Sequence, residues 1–325
     1  MQRRNLVLAS LASLGGSIAA PAVFAQQDYP SRTVKIIVPT APGSGTDVTG
    51  RYIADRLAKE WTAGVVVENK VGANGIPAAD SVAKAPGDGY TLMMGLSAMY
   101  ANKSLYKSLP FDPVKDFRVL LGLNDLYLVL IVPANSPFKT VQDLLDHARA
   151  NPGKVTYGSA GAGSTTHLGP AMLGHLGKAE FLHVPYRGAA NALTDIISGQ
   201  VNFGFTAIAQ GKSQIDSGRL RALAVSGLRR SKSLPDVPTL DELGLKGYNV
   251  LSKTFLCGPA SLPNPVAEKI TAAVTRIIQT PDYAQFLIQQ GFEAELDSPQ
   301  AYQRKAEEEV RHWAEIVRAT GATSQ

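Results

Sequence analysis

The sequence predicts an α/β protein of two lobes, each with a mostly parallel sheet flanked by helices. Three observations carry this expectation. Short apolar strands alternate with amphipathic helices along nearly all of the 325 residues, the pattern of sheets built from strand–helix–strand units. A unit of apolar strand, Gly-rich turn and helix occurs twice. Two apolar strands end in Pro or Gly where a chain would leave one lobe and later return.

The elements follow in order. Arg3 and Arg4, the short apolar run Leu6–Leu14 and the small residues of Val23-Phe24-Ala25 read as a signal peptide over 1–25, cleaved after Ala25. The run is too short and Gly-interrupted for a membrane span. The Arg pair is like a twin-arginine signal without the usual Ser or Thr before it, so Sec export fits equally. The first strand, 34–39, leads into Pro39-Thr40-Ala41-Pro42-Gly43-Ser44-Gly45 and a helix over 46–59. Strand 64–68, helix 75–84 and strand 90–94 come next. Strand 127–132 ends in Pro133, which puts a first crossover near Asn124–Asn135.

Helix 139–150 and strand 154–158 lead into the second turn, Gly158-Ser159-Ala160-Gly161-Ala162-Gly163. The helix over 164–176 carries Leu168, Met172, Leu173 and Leu176 on one face, as a core-packed helix does. Strand 181–185, helix 188–198, strand 202–206, helix 208–217 and strand 220–225 complete that region. Near Tyr248–Pro263 a second crossover is expected, where strand 253–257 ends in Gly258-Pro259. Helices at 264–279, 281–290 and 298–319 close the chain. The last has Tyr302, Ala306, Val310, Trp313 and Val317 along one face, again core packing. Lobe one is therefore expected over 28–124 plus 252–325, and lobe two over 125–251.

Composition narrows the function. The chain is 45% hydrophobic and 18% charged, which is globular. Taking Arg3 and Arg4 from the 32 basic residues leaves 30 against 27 acidic ones, a mild +3. No Lys/Arg cluster with interleaved aromatics appears, which argues against nucleic acid. Cys257 is the single cysteine, so no intrachain disulfide can form. It reads as a buried strand residue. The five histidines, His147, His167, His175, His183 and His312, show no metal-ligand spacing. No metal and no cofactor are expected.

The two turns carry the functional signal. Each aims free backbone N–H groups and a positive helix end at one point, a natural seat for a carboxylate or phosphate. The first departs from a dinucleotide fingerprint: although Glu68 stands near where a ribose-binding acid would, the third Gly of G-x-G-x-x-G is replaced by Val48, so the cofactor reading is the minor one. Asp47 sits at the first helix N-terminus, where capping accounts for an acid as well as ligand contact does. His167, in the first turn of the second helix, reads as a packing or supporting residue. Ser97, in Gly95-Leu96-Ser97-Ala98-Met99, lies after a strand as a nucleophile elbow would, but Met99 replaces the closing Gly. It is read as a cleft-lining hydroxyl. The alternative is a secreted α/β serine hydrolase using Ser97. Arg187, between a strand and a helix, could fork onto an anion or equally bridge loops. Thr206 stands just after Asn202–Phe205, at the strand ends where ligands collect.

In sequence these blocks resemble the solute receptors of tripartite tricarboxylate transporters, the Bug family. The resemblance covers nearly the whole mature chain: Ile36-Ile37-Val38-Pro39 with Pro42-Gly43-Ser44-Gly45-Thr46-Asp47, Val67-Glu68-Asn69-Lys70-Val71-Gly72-Ala73-Asn74-Gly75, and Pro86-Gly87-Asp88-Gly89-Tyr90. Leu109-Pro110-Phe111-Asp112-Pro113, Tyr157–Ser164 with His167-Leu168, Val184-Pro185-Tyr186-Arg187-Gly188 and Asp236-Val237-Pro238-Thr239-Leu240 complete it. It implies a type II periplasmic-binding-protein fold, a periplasmic location, no catalysis, a monomer, and delivery of a small organic acid to membrane permease subunits. It also implies that Gly43, Ser44, Gly45 and Thr46 in lobe one, and Ser159, Ala160, Gly161 and Ser164 in lobe two, grip a carboxylate. Thr40, Pro42, Asp47, Ser97, Thr165, Arg187 and Thr206 are the further candidate ligand-binding residues. Thr40 stands where many relatives carry a bulky aromatic, Ser44 where Gly is common, and Thr206 where many carry Asp. A roomier, less acidic cleft implies a bulkier ligand, such as an aromatic acid or a longer dicarboxylate.

Overall fold

The computed structural model describes residues 29–294 and 298–322. The signal-peptide expectation, 1–25, lies outside the described residues. The chain begins with β1 (Val34–Val38), α1 (Gly45–Glu60), β2 (Val65–Asn69), a 3₁₀ turn (Ala73–Gly75), α2 (Ile76–Ala83), β3 (Thr91–Leu96), α3 (Ala98–Leu105) and β4 (Phe117–Leu126). It continues through β5 (Leu128–Pro133), α4 (Val141–Ala150), β6 (Val155–Ser159), α5 (Thr165–Gly177), β7 (Phe181–Pro185), α6 (Ala189–Ser198), β8 (Phe203–Ala207), α7 (Ile208–Asp216) and β9 (Leu220–Val225). It closes with β10 (Ser252–Pro259), α8 (Asn264–Ile278), α9 (Pro281–Gln290), β11 (Phe292–Ala294) and α10 (Pro299–Thr320).

Among the described residues the strands form two sheets, ordered β11-β4-β10-β3-β1-β2 and β7-β6-β8-β5-β9. Each lobe holds one. Both sheets are mixed. Pairing is parallel where strand–helix–strand units lead to the two turns, β2-β1-β3 and β7-β6-β8. It is antiparallel for β4, β5, β9, β10 and β11. The expected parallel character thus holds beside the turns and not at the crossovers. There β4 and β10 run side by side from Ser252↔Leu126 to Pro259↔Phe117. One residue, Tyr127, separates β4 of the first sheet from β5 of the second.

The core explains the layering. One face of the first sheet (Val34, Ile36, Leu256) packs with Ile53 and Leu57 of α1, Ile270 and Val274 of α8 and Tyr283 of α9. Each such aliphatic side chain contributes about 1.5–3 kcal/mol by leaving water. The opposite face (Ile37, Met93, Phe255) joins Tyr302, Trp313 and Ile316 of α10 in one cluster that runs on to Leu168, Leu173 and Tyr248. The last helix is therefore a strap shared by both lobes. Cys257, fully buried in β10, has its thiol pushed up by burial.

Candidate functional site

The first turn follows from four residues. Ser44 donates its N–H to Ala41 O at 3.2 Å, closing a β-turn. Pro42 pre-sets its second position and Gly43, at φ +79°, takes the third, the left-handed place that a type II turn reserves for glycine. Ser44 then caps α1, its Oγ accepting the Asp47 N–H at 3.3 Å. The Asp47 carboxylate, 1% exposed, reaches back to accept Gly43 N–H at 2.8 Å, Arg51 Nε at 2.9 Å and Asn69 Nδ2 at 2.7 Å. Asn69 also donates to Thr40 O, and Thr40 Oγ1 lies 2.6 Å from Ser44 Oγ. Burial alone would raise the Asp47 carboxyl. The donors from Arg51, Asn69 and Gly43 outweigh it and hold the group below the usual carboxylate range.

The second turn repeats this plan. Ser164 donates N–H to Gly161 O at 3.2 Å. Ala162 takes the second position and Gly163, again at φ +79°, the third. Ser164 caps α5 by accepting the His167 N–H at 3.2 Å. Gly163 donates its N–H to His167 Nδ1 at 3.0 Å. Asp47 and His167 thus hold equivalent places, four residues after the turn glycine. His167 stacks on His183 with centroids 4.0 Å apart, and His183 Nε2 lies 2.6 Å from Ser159 Oγ. Burial, and for His167 also the neighbouring His183, pushes both imidazoles down to about 4.

The turns lie on surfaces of the two lobes that meet. A Cβ on Gly163 would sit 2.8 Å from Leu105 and 3.3 Å from Asn74, while one on Gly75 would touch Pro39 at the end of β1. Asn74 is fixed there by Nδ2 donations to Asn102 Oδ1 and Ala98 O. A second meeting point lies beyond α1: Gly45 abuts Leu126 and Phe292, and Gly291 abuts Ile208 at the start of α7.

The geometry shows which of the turn amides are already spent. Gly43 and Ser44 spend their N–H groups inside the first turn. In the second, Ala160 donates to Thr166 Oγ1 at 2.9 Å, Gly161 to Ser159 Oγ at 3.1 Å and Ser164 to Gly161 O. At the two turns, the amides with no protein acceptor among the described residues include those of Thr40, Ala41, Gly45 and Thr46, and of Ala162, Thr165 and Thr166. The physical reason is that a β-turn consumes its own donors, while the first helical residues have no partner behind them. Sequence reasoning found Gly45, Thr46 and Thr165 and assigned no role to Ala162 and Thr166.

Three other candidates find definite places. Ser97 is fully buried; its Oγ donates to Leu251 O and accepts the Lys253 N–H at 3.0 Å. The expected cleft-lining hydroxyl is thus a rivet between β3 and the crossover. Thr206, 2% exposed, packs under α7: a Cβ on Gly211 would lie 2.7 Å from its Cγ2. Arg187 is exposed and has no ion-pair partner among the described residues. Asn69, Arg51 and Asn74, which brace the turns, lie in or beside the quoted blocks but had no recognisable role without the fold. Among the described residues no group of three or more side chains could hold a metal ion, and no helix is long and apolar enough to cross a membrane.

Residues 49–322 match the model of the TctC family, described as tripartite tricarboxylate transporter family receptor. The chain belongs to that family. A relative from Pseudomonas sp. (strain P51), the UPF0065 protein in the tcbD-tcbE intergenic region, is 34% identical over 97% of this chain and 94% of its own. Among solved structures, Rpa4515 of R. palustris with adipate superposes at TM-score 0.85, with 31% identity over 91% of this chain and 99% of that one. The periplasmic binding protein BugD gives 0.83, with 31% identity over 91% and 100%. MatC from Rhodopseudomonas palustris with bound malate gives 0.82, with 30% identity over 89% and 100%. The two-lobed architecture is that of the periplasmic binding proteins, and the family is one of solute-binding receptors.

Proposed function

We propose that this chain is an exported, monomeric receptor that holds a small organic acid between its two turns and delivers it to the permease subunits of a tripartite tricarboxylate transporter. The observation that carries the reading is the pair of helix N-termini, one per lobe, that present uncommitted amides at Gly45 and Thr46 and at Ala162, Thr165 and Thr166. Such amides favour a carboxylate without needing a charged side chain. That similar chains carry adipate and malate supports a carboxylate, and a dicarboxylate in particular. The exposed guanidinium of Arg187, beside the second turn, suits the far carboxylate. Holding an anion across two lobes favours the closed state by the affinity of the second contact. The reading has no catalytic step.

A thermal-shift screen of residues 26–325, refolded to strip bound ligand, tests this. A ligand at about 100 times its dissociation constant adds roughly 2.7 kcal/mol to stability. A selective response to one class among aliphatic and aromatic mono- and dicarboxylates is expected. Silence across all of them overturns the reading. Thr40, half-buried and hydrogen-bonded to Ser44, is the size gauge: Thr40→Phe should weaken a bulky aromatic acid far more than a short one, and equal losses would remove the case for a bulky ligand.

A further inference from the structure

We propose that His167 and His183 are a proton-operated brace of the second turn: neutral, they hold it shaped for an anion, and on taking up a proton they release it. The proposal rests on the function inferred above only for its consequence, loss of a bound acid; the brace itself is a property of the turn.

The geometry requires a neutral His167. Gly163 N–H points at His167 Nδ1 at 3.0 Å, so that nitrogen must carry a lone pair and the ring proton must sit on Nε2. Ser159 Oγ accepts the Gly161 N–H and lies 2.6 Å from His183 Nε2, its own proton going to that nitrogen or, at 3.4 Å, to Gly161 O according to the His183 tautomer. The two rings therefore organise three residues of one turn, Ser159, Gly161 and Gly163. With those tied, the amides of Ala162, Thr165 and Thr166 are left without a protein acceptor among the described residues. Protonating His167 at Nδ1 sets N–H against N–H and breaks the Gly163 tie. It also places a cation 4.0 Å from the centre of a stacked imidazole. Gly163 is the residue of this turn that abuts Asn74 and Leu105 of the other lobe, so releasing it disturbs the contact between the lobes.

Protons can reach the pair. A groove of about 870 Å³ between α5, β7 and the end of α10 is lined by both imidazoles. Other groups bear on it from each side. β6 contributes Tyr157, whose ring stacks on His183 at 4.9 Å and whose hydroxyl, pushed up by burial, stays neutral. α5 contributes His175, and the segment between α5 and β7 contributes Lys178 and Glu180, one charge of each sign, both exposed. The end of α10 brings only the uncharged Ala319–Ala322. The exposed charges are screened by solvent and nearly cancel, so burial and the mutual stacking dominate.

The test needs no ligand. The chain is labelled with ¹⁵N at histidine and glycine and titrated by NMR from pH 7.5 to 3.5. His167 should show the Nε2–H tautomer at neutral pH, and both rings should stay neutral through pH 5. The Gly163 amide should shift with the His167 midpoint, and its exchange, relative to the intrinsic rate, should speed at least tenfold across it. His167→Asn places a carbonyl oxygen near the Nδ1 position, so Gly163 should keep its protection through the same range. A His167 that titrates near pH 6.5, or a Gly163 amide indifferent to His167 protonation, overturns the proposal. Should His167→Asn fail to fold, the matching of the two wild-type midpoints decides alone. No carboxylate enters the measurement, so a failed ligand screen and a failed brace remain separate results.

Discussion

In the first turn Gly43 donates its N–H to a carboxylate, and in the second Gly163 donates to an imidazole, at the same offset and with the same φ of +79°. The backbone plan is shared and the tie differs. Asp47 carries a charge that Arg51 and Asn69 balance. His167 carries none and is held by a stacked partner. The first turn is therefore fixed by electrostatics at any pH where carboxylates ionise. The second adds no negative charge beside an incoming anion, and its shape depends on an imidazole staying unprotonated.

The largest expected effect comes from removing the charge on one side only. The groups that touch the Asp47 carboxylate are donors: Gly43 N–H, Arg51 Nε and Asn69 Nδ2. In Asp47→Asn the new NH₂ must face one of them. We expect a loss of about 2–3 kcal/mol, the cost of leaving a buried polar group mismatched. His167→Asn keeps an acceptor toward Gly163 and should cost less, about 1–2 kcal/mol at pH 7.5, mostly from lost ring packing. Urea denaturation of both variants measures this, and equal losses would mean that charge is not what distinguishes the two ties.

Acid should separate the turns next. Burial pushes both imidazoles down to about 4 in the folded chain, below the roughly 6.5 of an unfolded histidine. The unfolded chain thus takes up protons first as pH falls. The stability these neutral rings provide is complete above pH 6.5 and drains away down to about pH 4. A full shift of this size is worth about 3 kcal/mol for His167, while the half-buried His183, screened by solvent, contributes less. The lowered Asp47 carboxyl has the same sign in a lower window: its contribution is present above the unfolded carboxylate value and disappears only in stronger acid. Urea midpoints at pH 7.5, 5.5 and 4.5 should fall in the wild type and flatten in a His167→Asn, His183→Gln double variant. A wild type as stable at pH 4.5 as at 7.5 would remove the imidazoles from the account.

Much of this plan was legible in the sequence. Gly-rich turns after apolar strands announce helix N-termini by their turn chemistry alone, and α1 and α5 begin within a residue of the expected positions. The strands at the crossovers were harder. β4 is an antiparallel strand buried on both faces, so its run Phe117–Leu126 has no alternation to mark it. β11 spans three residues. α3 was hidden because Gly95-Leu96-Ser97 reads as a sharp turn, although Ser97 opens that helix. Within the candidate site, sequence picked out the two turns but not which of their amides are spent inside them. The N–H of Ala160 is spent on Thr166 and that of Gly161 on Ser159, bonds that depend on side-chain direction. Asn69, 22 residues from Asp47 in the chain, could be tied to it only by the pairing of β1 with β2.

Glycine substitutions sharpen the same contrast at a smaller scale. Gly43 and Gly163 share a left-handed φ, so alanine should cost about 1–2 kcal/mol at either from strain alone. Nothing lies within 4 Å of a Cβ on Gly43, whereas one on Gly163 meets Leu105 at 2.8 Å. Gly163→Ala should therefore lose about 1 kcal/mol more than Gly43→Ala, and it should also weaken the approach of the lobes. Small-angle scattering of the ligand-free protein would register the second effect. Matching losses and matching scattering curves would show that the contact between Gly163 and the first lobe gives way freely.

The smallest expected effect on stability tests the side of the second turn that has no counterpart in the first. Arg51, the cation of the first turn, is bound to Asp47 and Asn69. Arg187 is exposed and bound to neither acid nor amide among the described residues. Arg187→Ala should accordingly change folding stability by less than about 0.5 kcal/mol. Its removal should still lower the affinity for a dicarboxylate about two- to fivefold and leave a monocarboxylate nearly untouched, because an exposed charge acts over a screened distance. The dicarboxylate loss should shrink as salt is raised from 50 to 500 mM, on the order of threefold in Debye length. Calorimetric titration at both salt concentrations reads this directly. A loss that is as large for the monocarboxylate, or insensitive to salt, would place Arg187 in the grip of the first carboxylate and make the second turn the charged one.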